Sequence, residues 1–464
     1  MSILADRYAS SAMKEIWSRE FKIQAERKLW ITVLKTQQSL GLDVSTKVIE
    51  DYEKYSEVID LASIDARESI SKHDVKARID EFNALAGQQY IHIGMTSRDL
   101  TENIELFQLS SSLLLVQMKV AALFKFLAHF ASENHEVPFV ARTHNVPAQL
   151  ITVGRRAATW IEELLFGFEN LQNLCVRIPL KGIKGPVGTG QDLIDLFGES
   201  SHQIEDSVAS LFGFGKVLSA PSQIYPRSID YEVVTALVQL AAAPSNIATN
   251  IRIMSGFGLV TEGFEVEQVG SSAMPHKVNA RLSERVNALN AVLKGNAVMI
   301  QELVGNQWNE GDVSCSVVRR IALPDSFYAI DAILDTTMRI IQDLHVRRER
   351  VEQEVKEFLP FLASTKMLSE AIKNGMGRED AHARIKAYSV AANENLRKYG
   401  SNNFIDLISA DSSLGFTPEF LNSIQDPSNF ISNAVGQTRV MIDKALEVAE
   451  SLPASLTYKP AFSI

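Results

Sequence analysis

Leu106, Leu109, Leu113, Leu114, Val116, Val120, Leu123, Phe124 and Leu127 recur at three- and four-residue spacing, the repeat of one face of a long α-helix. Upstream, Thr96 and Ser97 offer N-cap side chains, and Asp99 and Glu102 put negative charge in the opening turns, where the helix dipole favours it. The window 111–130 is the most apolar in the chain, but Gln117, Lys119 and Lys125 interrupt it, which opposes a membrane span. Similar spacing recurs over 148–174, 231–261, 282–304 and 322–344. Long helical runs with few alternating apolar segments predict an all-α helical bundle. Asn287, Asn290 and Asn296 interrupt the stripe of the 282–304 run and are expected to face solvent, a neighbour or another subunit.

Shorter helical pieces precede this region, and short helices punctuated by Gly375, Gly377, Gly400 and Gly415 follow it. The expected layout is three helical domains: 1–96, 97–350 with the central long helices, and 351–464. A net charge of −10 and the lack of any block of five Lys or Arg argue against nucleic-acid binding. The mixed-sign run Arg347-Arg348-Glu349-Arg350 reads as a solvated helix face. Cys175 and Cys315 lie far apart with no partner at metal-ligand spacing, and the N-terminus has no basic segment followed by an apolar core. A cytoplasmic protein without disulfide or metal is expected. The glycine-rich KGIKGPVGTGQ, 181–191, lacks the Lys-Ser/Thr ending of a phosphate loop and any preceding strand, so it reads as a tight turn between helices.

The loop GSSAMPHKVN, 270–279, offers groups suited to chemistry in which a proton is pulled off carbon and the resulting negative charge is held. Gly270 and Pro275 prevent regular helix, and Ser271, Ser272 and Lys277 set adjacent hydroxyls beside a cation. It resembles the GSSxMPxKxN signature of the fumarase/aspartase superfamily, and with Ala273 and His276 in the variable places it is most similar to the adenylosuccinate lyase branch. The resemblance extends through Arg7-Tyr8, the segments around His73, Thr96, His144, Gln223 and Arg320, and the run TKMLSEAIKNGMGRE.

That resemblance implies elimination of fumarate from adenylosuccinate, and from the succinyl-aminoimidazole-carboxamide ribotide, with no cofactor. It also implies a homotetramer in which the central helices form a twenty-helix core and active sites are shared between subunits, with no nucleic acid or membrane as partner. Ser272 would be the base, within a mobile signature loop 263–281 hinged at Gly263 and Gly270. A serine hydroxyl is a poor base unless its alkoxide is stabilised, here by Lys277 and backbone N–H groups. His144, in ARTHNVPAQ and expected just before a helix, would be the acid for the leaving nitrogen. Glu284 would orient it across subunits. His73, Asp74 and His92 would contact the phosphate or carboxylates, with His73 a lesser candidate for proton transfer. Thr96 and Ser97 would bind a carboxylate at a helix N-terminus. Ser271, Gln223, Lys277 and Asn279 would add carboxylate contacts, and Arg7, Tyr8, Ser316 and Arg320 would hold the phosphate end. His129, His135 and His345 match nothing, and His276 is given no proton transfer.

Two positions depart from the pattern. Ala280 stands where many members have proline, and Gly311 where many have a substrate-binding arginine, for which Arg281 or Arg285 are the expected replacements. The rival readings are a lyase for a non-nucleotide succinyl compound such as argininosuccinate, and a catalytically silent structural protein on the same scaffold. The phosphate set opposes the first, and intact Ser272, His144, Lys277 and Glu284 oppose the second.

Overall fold

The apolar stripe becomes a 37-residue helix, Ser97–Glu133, the axis of the molecule. The protein is represented by a computed structural model that describes residues 2–263, 274 and 277–461. The helix starts where Asp99 Oδ2 accepts the Thr96 N–H at 2.9 Å, closing the first turn. Its buried face, from Leu106 to Ala131, belongs to the largest core, shared with the helices Val153–Arg177, Ser316–Asp343 and Ser432–Ser451. Helix Arg281–Gln301 packs against Ser316–Asp343 and against the pair Ser228–Leu240 and Ala242–Gly256. By length and composition the Ser97–Glu133 helix could cross a bilayer, but 61% of its apolar window is buried inside the protein.

Lys119, one of the interruptions of that window, is fully buried and bonds Asp335 at 2.8 Å and Asp331 more tightly still. Asp331 also accepts the Ser10 N–H at 2.7 Å, and Tyr458 donates to Asp335 at 2.7 Å. One buried cation therefore joins the N-terminal segment, two core helices and the C-terminal tail, and removing it would strand two carboxylates away from water.

The all-α expectation holds, with corrections at helix starts. The 148–174 run begins as strand: Pro138–Thr143 pairs antiparallel with Val146–Thr152, and the helix starts at Val153. Val146, Ile151 and Thr152 are β-branched and Pro147 has no N–H, so the segment favours a hairpin edge. Val140 and Leu150 then bury against Val355 and Leu359. The 231–261 run divides into two helices around Ala241, with Pro244 in the first turn of the second, and ends in strand Val260–Thr261 paired with His345–Val346. The 322–344 run begins earlier, at Ser316, because its opening SVVRR has no apolar period to read.

The apolar cores do not follow chain order. Leu29, Trp30, Tyr52 and Phe82 from the N-terminal region share a core with Leu100, Ile104, Leu180, Leu193, Ile204 and Val208. Met367, Ile385, Phe404 and Leu414 form a separate C-terminal core, yet Met441 and Ala445 return to the central one. The segment 181–191 wraps the start of the long helix. Asp99 Oδ1 accepts from Lys181 Nζ at 2.7 Å and Lys184 N at 2.9 Å, and Asn103 exchanges two 3.0 Å bonds with Gly182. Gly188 has φ +86°, and a Cβ there would lie 2.0 Å from the Pro221 carbonyl oxygen.

Candidate active site

A cavity of about 840 Å³ opens between the start of helix Ser97–Glu133, the start of Ser316–Asp343 and the His73 turn. His73, Asp74, Ser97, Ser316 and Arg320 all line it. His73 caps helix Asp74–Ala86: its Nδ1 accepts the Lys76 N–H at 3.3 Å, so the neutral ring carries its proton on Nε2, 3.3 Å from Ser97 Oγ. Asp74 lies 3.5 Å from Arg78 and 3.7 Å from Arg320. Burial works to raise the Asp74 pKa, but Arg78, the Val75 N–H, Lys22 and Arg320 outweigh it and hold the carboxyl below its ordinary value. Arg320 is exposed, so its planar fork is open to an anion entering the cavity.

His92 stands apart, held at φ +69°. Its Nδ1 accepts from Trp30 Nε1 at 3.0 Å, and burial depresses its pKa to about 4. It is therefore a neutral ring whose remaining N–H is on Nε2, a donor but not a proton carrier near neutral pH.

The other expected residues lie outside the cavity. His144 does not precede a helix; it occupies the exposed hairpin turn at φ +50°, followed by Asn145 at φ +62°. The hairpin is held from behind by Arg142, which binds Glu354 through two bonds of 2.5 and 3.4 Å and lies 4.5 Å above the Phe257 ring. Asn279 and Glu284 line a different open cavity, of about 540 Å³, with Arg252 and Ala280. Lys277 is exposed, its N–H bonded to the Met274 carbonyl at 3.0 Å. Arg285 lies 5.6 Å from the Tyr8 ring, and burial, with Arg281 and Arg7 nearby, lowers its pKa. Gln223 bonds Glu310 through the backbone at 3.0 Å. Ser271, Ser272, Gly270 and His276 lie outside the described residues. Among the described residues no three His, Cys, Asp or Glu side chains form a group able to hold a metal.

Gly311 takes φ +140°, and Ile224 side-chain atoms lie 3.1–3.3 Å from where a Cβ would be. Arginine would strain this backbone. Arg98, which the sequence reading passed over, instead lines the cavity and donates to the neighbouring Asp312 carbonyl at 3.2 Å. Its position directly after Ser97 was the available signal.

The profile of the Lyase family matches residues 4–295, and that of the adenylosuccinate lyase C-terminus matches residues 360–440. Adenylosuccinate lyase of Saccharomyces cerevisiae is 33% identical over 450 residues, covering 95% of this chain and 93% of that protein. The chain belongs to the adenylosuccinate lyase family. A second family member, from Schistosoma mansoni, is also 33% identical, over 99% of this chain and 97% of its own. The fold itself reaches beyond the adenylosuccinate lyase family. A fumarate lyase from Mesorhizobium sp. BNC1 superposes with a TM-score of 0.80 at 18% identity, covering 95% of this chain and 98% of that one. A β-carboxy-cis,cis-muconate cycloisomerase from Acinetobacter calcoaceticus superposes with a TM-score of 0.82 at 17% identity, covering 96% and 100%.

Proposed function

We propose that this lyase cleaves adenylosuccinate to AMP and fumarate, and the succinyl-aminoimidazole-carboxamide ribotide to its carboxamide, in purine nucleotide synthesis. The observation that carries this reading is full-length identity to adenylosuccinate lyases at 33%. The gathering of His73, Ser97, Ser316 and Arg320 around one cavity supports it, because a nucleotide that also carries a succinyl group needs donors for a phosphate and two carboxylates.

In the proposed anti-elimination, Ser272 takes the proton from the carbon beside one carboxylate. The electron pair left behind forms the new C=C bond as the C–N bond breaks, passing through an aci-carboxylate held by Lys277 and Asn279. His144 gives its proton to the departing nitrogen, and Glu284 orients that ring. No electron leaves the system, so the reaction needs no redox partner. Arg7 and Tyr8 join Ser316 and Arg320 at the phosphate, and Thr96, Ser97, Ser271 and Gln223 contact the succinyl carboxylates. His73, Asp74 and His92 complete the substrate contacts.

The proposal includes a homotetramer. Val292, Val298, Met299, Val317 and Ile321 are exposed along two neighbouring core helices, Val298 at 58% and Val317 at 68%, and a second copy would cover such a face. A cytoplasmic location fits the two free cysteines.

The test is the ultraviolet absorbance change on adding adenylosuccinate, with argininosuccinate as control. Folded protein that leaves adenylosuccinate intact would sink the assignment. Ser272→Ala and His144→Ala should each lower turnover by about a hundredfold or more while substrate still binds.

A further inference from the structure

The cavity wall that carries Ser316 and Arg320 is backed by a buried charge cluster centred on Arg319, whose edge, with Arg98 and Glu105, reaches the cavity lining. Its Nε donates to Asp230 Oδ2 at 2.7 Å and its Nη1 to Glu105 Oε2 at 2.6 Å. Its Nη2 bonds the Tyr225 hydroxyl, which in turn donates to Asp230 Oδ1 at 2.6 Å. Glu102, fully buried, accepts from Arg227 at 2.9 Å and from Arg98 at 3.1 Å. Arg98, Arg227 and Arg319 thus face Glu102, Glu105 and Asp230, with Lys22 a further cation 3.8 Å from Glu105.

An ion cluster like this is a weak source of stability, since apolar side chains of similar volume often serve as well. What a guanidinium bonded through all three nitrogens does supply is direction. Arg319 sits in the first turn of helix Ser316–Asp343, three residues after Ser316 and one before Arg320. That helix has Cys315 at its N-cap and no side-chain capping bond, so local chemistry does not fix how the first turn is rotated. With Arg319 drawn inward, the neighbouring faces of the same turn, which carry Ser316 and Arg320, border the cavity. The opposite wall has a second anchor. Asp99 fixes Thr96 and the start of the long helix through Lys181, Lys184 and Gly185, upstream of where Glu105 ties the same helix to Arg319.

We infer that Arg319 is a positioning residue for the phosphate end of the substrate: its buried bonds set the Ser316–Arg320 face, while Thr96 and Ser97 at the carboxylate end keep the further anchor of Asp99. This rests on the nucleotide reading above. The first test is Arg319→Lys, which keeps the charge and loses the fork. Product inhibition by AMP and by fumarate is measured separately, beside steady-state turnover of adenylosuccinate. The AMP inhibition constant and KM should rise about tenfold, with kcat and the fumarate constant within about threefold of wild type. Lys181→Met should show the reverse, weakening fumarate inhibition and sparing AMP. If Arg319→Lys does not yield folded tetramer, Glu105→Gln, which weakens a single bond to the same guanidinium, takes its place with the same expected split. An unchanged AMP constant, or AMP and fumarate constants rising together, overturns the inference. Failure of the nucleotide reading is recognised earlier and separately, by untouched wild-type protein that does not cleave adenylosuccinate.

Discussion

Glu262 should control the base of the signature loop, and replacing it gives a local, measurable change. Its Oε2 accepts the Leu282 N–H at 3.1 Å and its Oε1 the Ser283 N–H at 2.7 Å, with Ser283 Oγ bonded still more closely. Helix Arg281–Gln301 has Ala280 at its N-cap and no capping side chain there, so Glu262, from before the loop, caps the helix that follows it. Glu262→Ala leaves one buried and one half-buried backbone donor and a hydroxyl without their acceptor. Each loss costs about 1 kcal/mol net, more where the donor stays dry, while relief from burying a carboxylate returns part of it. The net is about 2–3 kcal/mol, which should speed hydrogen exchange at the Leu282 and Ser283 amides about 30- to 150-fold. Exchange followed by mass spectrometry across 278–290, in assembled protein, reads it directly. Glu262→Gln keeps the Ser283 acceptor and does not titrate. Burial raises the Glu262 pKa above its ordinary value, against the bonds from Ser283 and Leu282, so the protonated form is favoured by folding. Relative to the Gln variant, the wild type should therefore be most stable below about pH 4.5, the ordinary carboxyl value, and lose ground as pH rises through the folded pKa. Wild-type exchange rates at Leu282 and Ser283 in Glu262→Ala would refute the capping role.

Three further outcomes are expected. His92 has its pKa depressed from 6.5 to about 4, so the unfolded chain takes up a proton that the fold refuses, and stability should fall as pH drops through that interval. The slope is at most ~1.4 kcal/mol per pH unit; His92→Asn, which keeps an acceptor for Trp30 and tolerates a positive φ, should flatten it in urea unfolding measured between pH 4 and 7. Gly188→Ala should cost about 2–4 kcal/mol, from a left-handed backbone and a Cβ driven into the Pro221 carbonyl, seen as a lower urea midpoint. Finally, inactive His144→Ala and Arg320→Ala proteins, refolded together in equal amounts, should recover about a quarter of wild-type activity if the two residues reach each site from different copies in a symmetric assembly; no recovery would refute that.

The central helices were legible because burial imposes a period on the sequence, and Leu106 through Leu127 repeat it without break. Boundaries failed where a different interaction decided the local structure. Strand Val146–Thr152 is stabilised by pairing with the adjacent Pro138–Thr143, which its β-branched residues favour, and by packing on Val355 and Leu359, which lie more than 200 residues away. The first turn at Ser316 carries Arg319, whose bonds to Asp230 and Glu105 again span long separations. Of the candidate site, the motifs located His73, Ser97, Ser316 and Arg320, which meet at one cavity. They gave no hint of Arg319 or Glu262, whose side chains act on backbone and on other charges, and for Arg98 only its place directly after Ser97.

This division explains why the chain carries its chemistry in pieces. His144 is on a hairpin tip, Asn279 and Glu284 border one cavity, and the anion set with Ser316 and Arg320 borders another. Each piece is anchored from behind by its own buried or half-buried ion pair: Arg142 with Glu354 for the hairpin, Asp99 with Lys181 and Arg319 with Asp230 for the two cavity walls. Glu262 anchors the Asn279–Glu284 piece by backbone capping instead. In the proposed homotetramer, parts anchored in this way within a subunit would need little ordering when subunits meet, so assembly would bring the proposed acid, carboxylate contacts and phosphate contacts into register. Activity should then depend on association more steeply than folding does, because each isolated subunit would keep its anchors and lack only its neighbours.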